Sequence, residues 1–391
     1  MVVVAPPGST VAVTPPAPPA GPANWYDKFA ADGFVDAYGN IDWNMPKPQI
    51  GTIPLRAYDV AQGFALSWIG ANVSYTSDNV GGTVSLRFGP SAVIYGVPAT
   101  ATGTADNSFG MQNVRQAYAT IKPADKWTLD AGKFDQPFGS EVPDAQLNME
   151  YTRSLLFNLN QPVFFTGVRL DYAPVDAFDI KVIAANGWNN TIDNNRGKTF
   201  AAQVMVKPAD VLQLYVGWAG GPEQADFLPV PGGAAPAAGA PTGEVADANS
   251  HWRHMADLVV DFNPMKELRF LINGDYDTED LGGGQTASWY GANLAVRYII
   301  ADPFQATLRG EYFSDKHTNI VPLGLDKTAG DSTSIESVSL TLSTVIASHV
   351  TLMLDNRIDV ADSEMFPNKS PNDGASKSQF TTTLGVIATT K

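Results

Sequence analysis

The charged residues of this 391-residue chain fall into two sets whose spacing could do chemistry. The first lies in one segment, GKFDQPFGSEVPDAQLNMEYTRSLLFNLNQPVFFTGVRLDY at 132–172, which places Glu141, Asp144 and Arg153 among Pro137, Pro143 and Pro162. The second recurs at alternate positions of apolar stretches: Arg87, Arg169 with Asp171, Arg297, Arg309 with Glu311, and Arg357. Neither set has the makings of a catalytic site. No serine sits in a G-x-S-x-G turn, and no acid and base stand as a convincing pair. RGKT at 196–199 has Ile192 where a phosphate-binding loop needs glycine. His251 and His254 flank Trp252 and Arg253 in a loop, and Asp193, Asn194 and Asn195 have no closing glutamate in register, so neither a metal nor any other cofactor is expected. Opposite charges facing each other across a narrow gap, by contrast, create a transverse field that admits hydrated polar solutes and disfavours oily ones. Glu141 and Asp144 opposed to Arg87, Arg169 and Arg357 would make such a gap. Read singly, the two carboxylates would brace their own loop, and Arg169 would pair with Asp171.

The stretches that carry the second set must be strands. FTGVRLDYAPVDAFDIKVIAANG at 165–187 alternates apolar and polar residues, breaks at Pro174 and Asp176, and alternates again, which is a hairpin with one oily face. The same grammar returns around Pro123, Pro208, Pro264 and Pro303, and once without proline around Ser348. Sixteen such strands can be placed, among them 267–276 and 288–299. An even count puts both ends of the sheet on the side of the short turns. Long polar connections fall on the other side, at Asn186–Gly197, Gly220–Ser250, Asp277–Ala287 and Ser314–Ser334.

The two faces decide the environment. Val168, Leu170, Tyr172, Phe178, Ile180, Val182, Leu258, Leu294, Leu340 and Leu342 share one face, with aromatics such as Trp127, Tyr172, Phe262, Tyr298 and Phe304 beside the turns, where an interfacial girdle belongs. The other face carries the charges, which would be costly in a dry core and are therefore expected in water. Oil outside and water inside describe a closed transmembrane barrel, wide enough at sixteen strands to hold a channel. Mean hydropathy of −0.09 suits that average. A net charge of −15 and no basic face argue against nucleic acid. The absence of cysteine is weak support for passage through an oxidising compartment.

The fold expected is thus all-β: a transmembrane antiparallel up-and-down β-barrel of about 16 strands with short periplasmic turns, long extracellular loops and a third loop folded inward. Residues 1–28 would form a Pro-rich periplasmic arm and 29–391 the barrel, with 137–163 as the constriction loop and 220–250 as a flexible extracellular loop. No signal peptide follows Met1, so the expectation is a mature chain with an added start residue.

GKFDQPFGSEVPDAQLNMEYTRSLLF followed by TGVRLDY resembles the signature region of the putative β-barrel porin-2, or OmpL-like, family of bacterial outer-membrane porins, over about forty residues. The resemblance implies an outer-membrane, water-filled passive channel for ions and small hydrophilic solutes, in contact with lipid and lipopolysaccharide and in a homotrimer, the common assembly of sixteen-stranded porins. The chain departs from the usual aromatic C-terminus of such barrels, ending at Lys391. Two other readings predict different behaviour: a plugged or partner-filled scaffold folds without conducting, and a soluble adhesin needs no detergent.

Overall fold

The computed structural model describes residues 24–47, 53–95, 108–224, 227–228, 243–244, 248–317, 320–322, 324–328, 330–369 and 374–390. The Pro-rich stretch at 5–22 and most of the loop at 220–250 lie outside these residues. Sixteen antiparallel strands close into one barrel: β1 Phe29–Asp42, β2 Gly63–Thr76, β3 Val80–Phe88, β4 Val114–Ala124, β5 Trp127–Asp135, β6 Phe164–Val175, β7 Phe178–Ala185 and β8 Thr199–Ala209, continuing with β9 Leu212–Pro222, β10 Trp252–Met265, β11 Leu268–Gly282, β12 Gln285–Ala301, β13 Phe304–Asp315, β14 Thr333–Ile346, β15 Val350–Ala361 and β16 Ser378–Thr389. Each strand pairs with its chain neighbours, and β1 pairs with β16 from Phe34↔Thr389 to Asp42↔Thr381. Closure leaves no sheet edge, which is what lets a sheet cross hydrocarbon without unsatisfied backbone groups.

The alternation read from the sequence is the alternation of faces. Val168, Leu170, Val182, Leu258, Leu294, Leu340 and Leu342 stand on the outer surface at 37–50% exposure, while Asp36, Arg87, Arg169, Arg309 and Arg357 on the inner face are at 3% or less. Trp127 stacks on Tyr172 at 4.2 Å and Phe262 on Phe270 at 6.0 Å beside the short turns, and Tyr298 and Phe304 flank the turn at 302–303. A second set at the opposite rim was not anticipated: Trp218 stacks on His254, and Tyr290 lies against Tyr312. Together they give the barrel an aromatic girdle at each rim.

The prolines of the short turns have a specific place. The β4–β5, β6–β7, β8–β9 and β10–β11 ladders each shift register across Pro123, Pro174, Pro208 or Pro264. Proline cannot donate to the ladder, so it occupies a bulge next to the turn instead of a paired position.

One connection differs from expectation. The polar run Asp277–Ala287 is no long loop: β11 and β12 continue to Gly282 and Gln285, and the turn is made by Gly282, Gly283 and Gly284 at φ of 78°, 61° and 80°. Positive φ at consecutive positions calls for glycine. The hairpin's polarity reflects strands that run on past the membrane into water.

Candidate functional site: the charged interior around residues 136–163

The segment between β5 and β6 lies inside the barrel. Its partners lie on inward-facing positions around the wall. Gln203 of β8 donates to the Pro137 carbonyl, and the Gly139 amide donates to Asp257 of β10 at 3.2 Å. Gln161 Nε2 reaches Asn273 and Asp275 of β11, both at 2.9 Å, and Trp289 of β12 donates to Asn160. The Leu155 amide donates to Glu311 of β13 at 2.6 Å, Ser339 of β14 to Glu150 at 2.7 Å, and the Thr152 amide to Asp355 of β15 at 3.0 Å. Tyr151 donates to Asp36 of β1 at 2.9 Å. Its ring rests on β16, where a Cβ on Gly385 would come within 2.2 Å of it.

Local sequence explains why this segment leaves the solvent. Leu155, Leu156 and Phe157 are buried, Leu156 against β12 and Phe313 of β13. Leu156–Asn160 forms a single π-helical turn, which carries Asn160 and Gln161 to the acidic face of β11. Apolar residues alone would anchor the loop anywhere; its polar residues fix the register.

Two ion-pair clusters tie it down, and a third lies beside it in the wall. Arg87 of β3 grips Asp144 through Nε and Nη2 at 3.0 and 2.8 Å, and Arg115 of β4 bridges Asp144 and Asp135. Burial pushes the Asp144 carboxyl up, but Arg115 and Arg87 outweigh it and hold it below the usual carboxylate range. In the second cluster Arg309, 2% exposed, contacts Glu141 at 2.8 Å, Glu150 at 2.9 Å and Glu311 at 2.9 Å. Arg357 extends this network to Glu311 at 3.4 Å and Asp359 at 2.8 Å. Burial, aided by Asp355, pushes the Glu150 carboxyl well above its ordinary value despite Arg309. The third cluster belongs to the wall alone: Arg169 pairs with Asp130 at 2.7 Å.

These contacts correct the expected geometry in two respects. Glu141 and Asp144 do not face arginines across a gap; they touch Arg309 and Arg87 directly, and Arg357 faces Glu311 and Asp359. Most inner-wall charges are also covered by protein, not bathed in water. Arg87, Arg309 and Arg357 tolerate burial because each finds an opposite charge and further hydrogen bonds, the condition under which a buried ion survives. Arg169 pairs with β5, across the ladder, and leaves Asp171 to Lys181 at 3.1 Å. Arg153 has no carboxylate partner among the described residues; it donates to the Tyr151 and Pro143 carbonyls and lies 4.2 Å from the Tyr58 ring centre. Arg297 stands half-buried with Asp171 toward the short turns, beyond the loop.

Sequence reading missed Arg115, Glu150, Tyr151, Thr152, Asn160 and Gln161. The polar residues of NMEYTRS, set in an apolar segment, were the available signal. Among the described residues no group of three or more His, Cys, Asp or Glu side chains is arranged to hold a metal ion. His251 lies 3.2 Å from Asp280, and His254 stacks between Trp218 and Trp252.

Comparison with solved structures places the fold among outer-membrane channels. OmpT of Vibrio cholerae superimposes with a TM-score of 0.58 at 12% identity, covering 92% of this chain and 97% of that one. The outer-membrane channel DcaP of Acinetobacter baumannii gives 0.54 at 11% identity, covering 92% and 96%. The anion-selective porin from Comamonas acidovorans gives 0.55 at 9%, covering 92% and 99%. No curated protein matches the sequence. The family model for putative beta-barrel porin-2, OmpL-like, matches residues 28–389, and it too points to a channel and not an enzyme. The chain, a sixteen-stranded barrel of the bacterial outer membrane, therefore belongs to the putative beta-barrel porin-2, OmpL-like family.

Proposed function

We propose that the protein is a passive diffusion channel for ions and small hydrophilic solutes, narrowed by residues 136–163. The observation that carries this reading is the attachment of that segment to inner-wall residues of β1, β3, β8 and β10–β15. Glu141, Asp144 and Arg153 on the loop, with Arg87, Arg309, Glu311 and Arg357 on the wall, fix its position. Arg169, Asp171 and Arg297 line the path toward the periplasmic turns. Glu141, Glu311, Asp355 and Asp359 surround the guanidiniums of Arg309 and Arg357, so carboxylates are in excess at the loop and cations are favoured. The working assembly is a homotrimer embedded in lipid and lipopolysaccharide; OmpT of Vibrio cholerae has a trimer form.

Planar-bilayer recording of the detergent-purified protein under a salt gradient tests this reading. Stable steps with a reversal potential of cationic sign are expected. The density of buried loop–wall contacts favours one rival, a plugged barrel anchoring other envelope components. A folded, heat-modifiable barrel that never conducts would establish that rival instead.

A further inference from the structure

Asp257 of β10 and Asp275 of β11 are register partners whose side chains point into the barrel, at 3% and 5% exposure. One nitrogen, Asn273 Nδ2, donates to Oδ1 of both, at 2.9 and 3.0 Å, so the two carboxylates lie side by side. Asp275 Oδ2 also accepts from Asn160 at 2.8 Å and from Gln161 at 2.9 Å, and Asp257 Oδ1 accepts from the Gly139 amide. Every one of these donors is neutral. Neither carboxylate has a Lys or Arg in ion-pair contact among the described residues. Asp144, Glu141, Asp130, Asp261 and Asp171 elsewhere in this interior each have a guanidinium or ammonium in contact; this dyad does not.

Gln161 is 6% exposed, and its Nε2 is spent on Asn273 and Asp275, which leaves Oε1 within the same cluster without a hydrogen-bond donor. Asp257 Oδ2 likewise accepts from no donor. The pocket is tight: a Cβ on Gly139, at φ +75°, would fall 2.0 Å from Gln161 Oε1. Buried carboxylates that adjoin, with no countercharge and with further oxygens lacking donors, call for a hard cation.

We propose that Asp257 and Asp275, with the carboxamide oxygen of Gln161, bind one divalent oxygen-seeking cation of the calcium type. Two carboxylates match its charge, and water completes the oxygen shell, since calcium accepts irregular coordination. The ion ties both ends of the inward segment, at Gly139 and at Asn160–Gln161, to the β10–β11 hairpin. The inference does not depend on conduction, because binding is measured on the closed or open barrel alike.

The test is calorimetric titration of calcium chloride into the full-length, detergent-folded protein after chelator treatment, with heat-modifiable gel migration confirming the barrel in every variant. One saturable site is expected, weakened at least tenfold by Asp275→Asn and abolished in Asp257→Asn/Asp275→Asn, which keeps the shapes and removes the charges. Asp326→Asn, on an extracellular loop, is the control and leaves the site intact. No saturable binding to the chelated wild type means that the dyad carries a shared proton, and overturns the proposal. So does binding that survives in the double variant, which would put the ion elsewhere.

Discussion

Replacing Arg309 removes the hub of the largest ion-pair cluster. Its guanidinium is 2% exposed and serves Glu141 and Glu150 of the loop as well as Glu311 of the wall, all at 2.8–2.9 Å, and it also donates to the Thr152 carbonyl at 3.0 Å. In Arg309→Ala these acids stay buried without their partner. Removing one member of a buried pair costs about 3–5 kcal/mol. The cost falls on the docked loop, since an undocked loop lets the same acids reach water. Converted at 1.4 kcal/mol per tenfold, the docked-to-undocked ratio drops by roughly a hundredfold to several thousandfold. The strand ladders are untouched, so the barrel still folds. Single-channel recording should show larger or flickering steps, and limited proteolysis should cut within 140–160 at least tenfold faster. Arg309→Lys, which keeps the charge and loses the fork, should fall between. Wild-type conductance and wild-type protease resistance in Arg309→Ala would refute the view that this cluster holds the loop.

Asp144 supplies a pH test: its carboxyl is held low, so the stabilisation it gives is present above the ordinary carboxylate pKa and disappears as pH falls through the lowered value. Loop protection against an acid-active protease should thus hold at pH 5 and weaken as the pH falls below 3.8 through the lowered value, and Asp144→Asn should lack that protection already at pH 5. Glu223 runs the other way: burial pushes it up to about 7 although Thr199 and the Trp188 amide donate to it. Its stabilisation is full below pH 4.5 and is lost as pH rises to 7, so the protection of the Trp188 amide, taken relative to its intrinsic exchange rate at each pH, should fall between pH 5 and pH 8, and Glu223→Gln should flatten that response. Gly385→Leu should displace the Tyr151 ring from β16, break its bond to Asp36 and raise conductance, read in the same bilayer assay, without loss of the heat-modifiable barrel.

All sixteen strands were legible because period-two alternation is a local signal, imposed by a wall with oil on one side and polar groups on the other. The β11–β12 hairpin was misjudged at its tip because alternation fades once a strand leaves the membrane and both faces meet water. Within the site, Glu141, Asp144 and Arg153 stood out as charges in an apolar loop. Their partners did not. Glu150 meets Ser339 across 189 residues and Arg357 meets the Arg153 carbonyl across 204, and nothing in local periodicity carries such distances. The expectation of hydrated inner-wall charges failed for a related reason: the cost of burying one ion is local, whereas the partners that offset it lie far along the chain.

Those sequence separations also set an order of events in folding. The hairpins of β1 to β5 need only near neighbours, but the inward segment cannot meet Asp355 or Arg357 until β15 has formed. Closing such distant contacts is slow, because chain entropy is lost before they contribute. Docking of residues 136–163 is accordingly a late step, coupled to the seam where β16 joins β1. A time course that follows both gel migration and protease resistance should see the barrel close before, or together with, the protection of its interior, and never after.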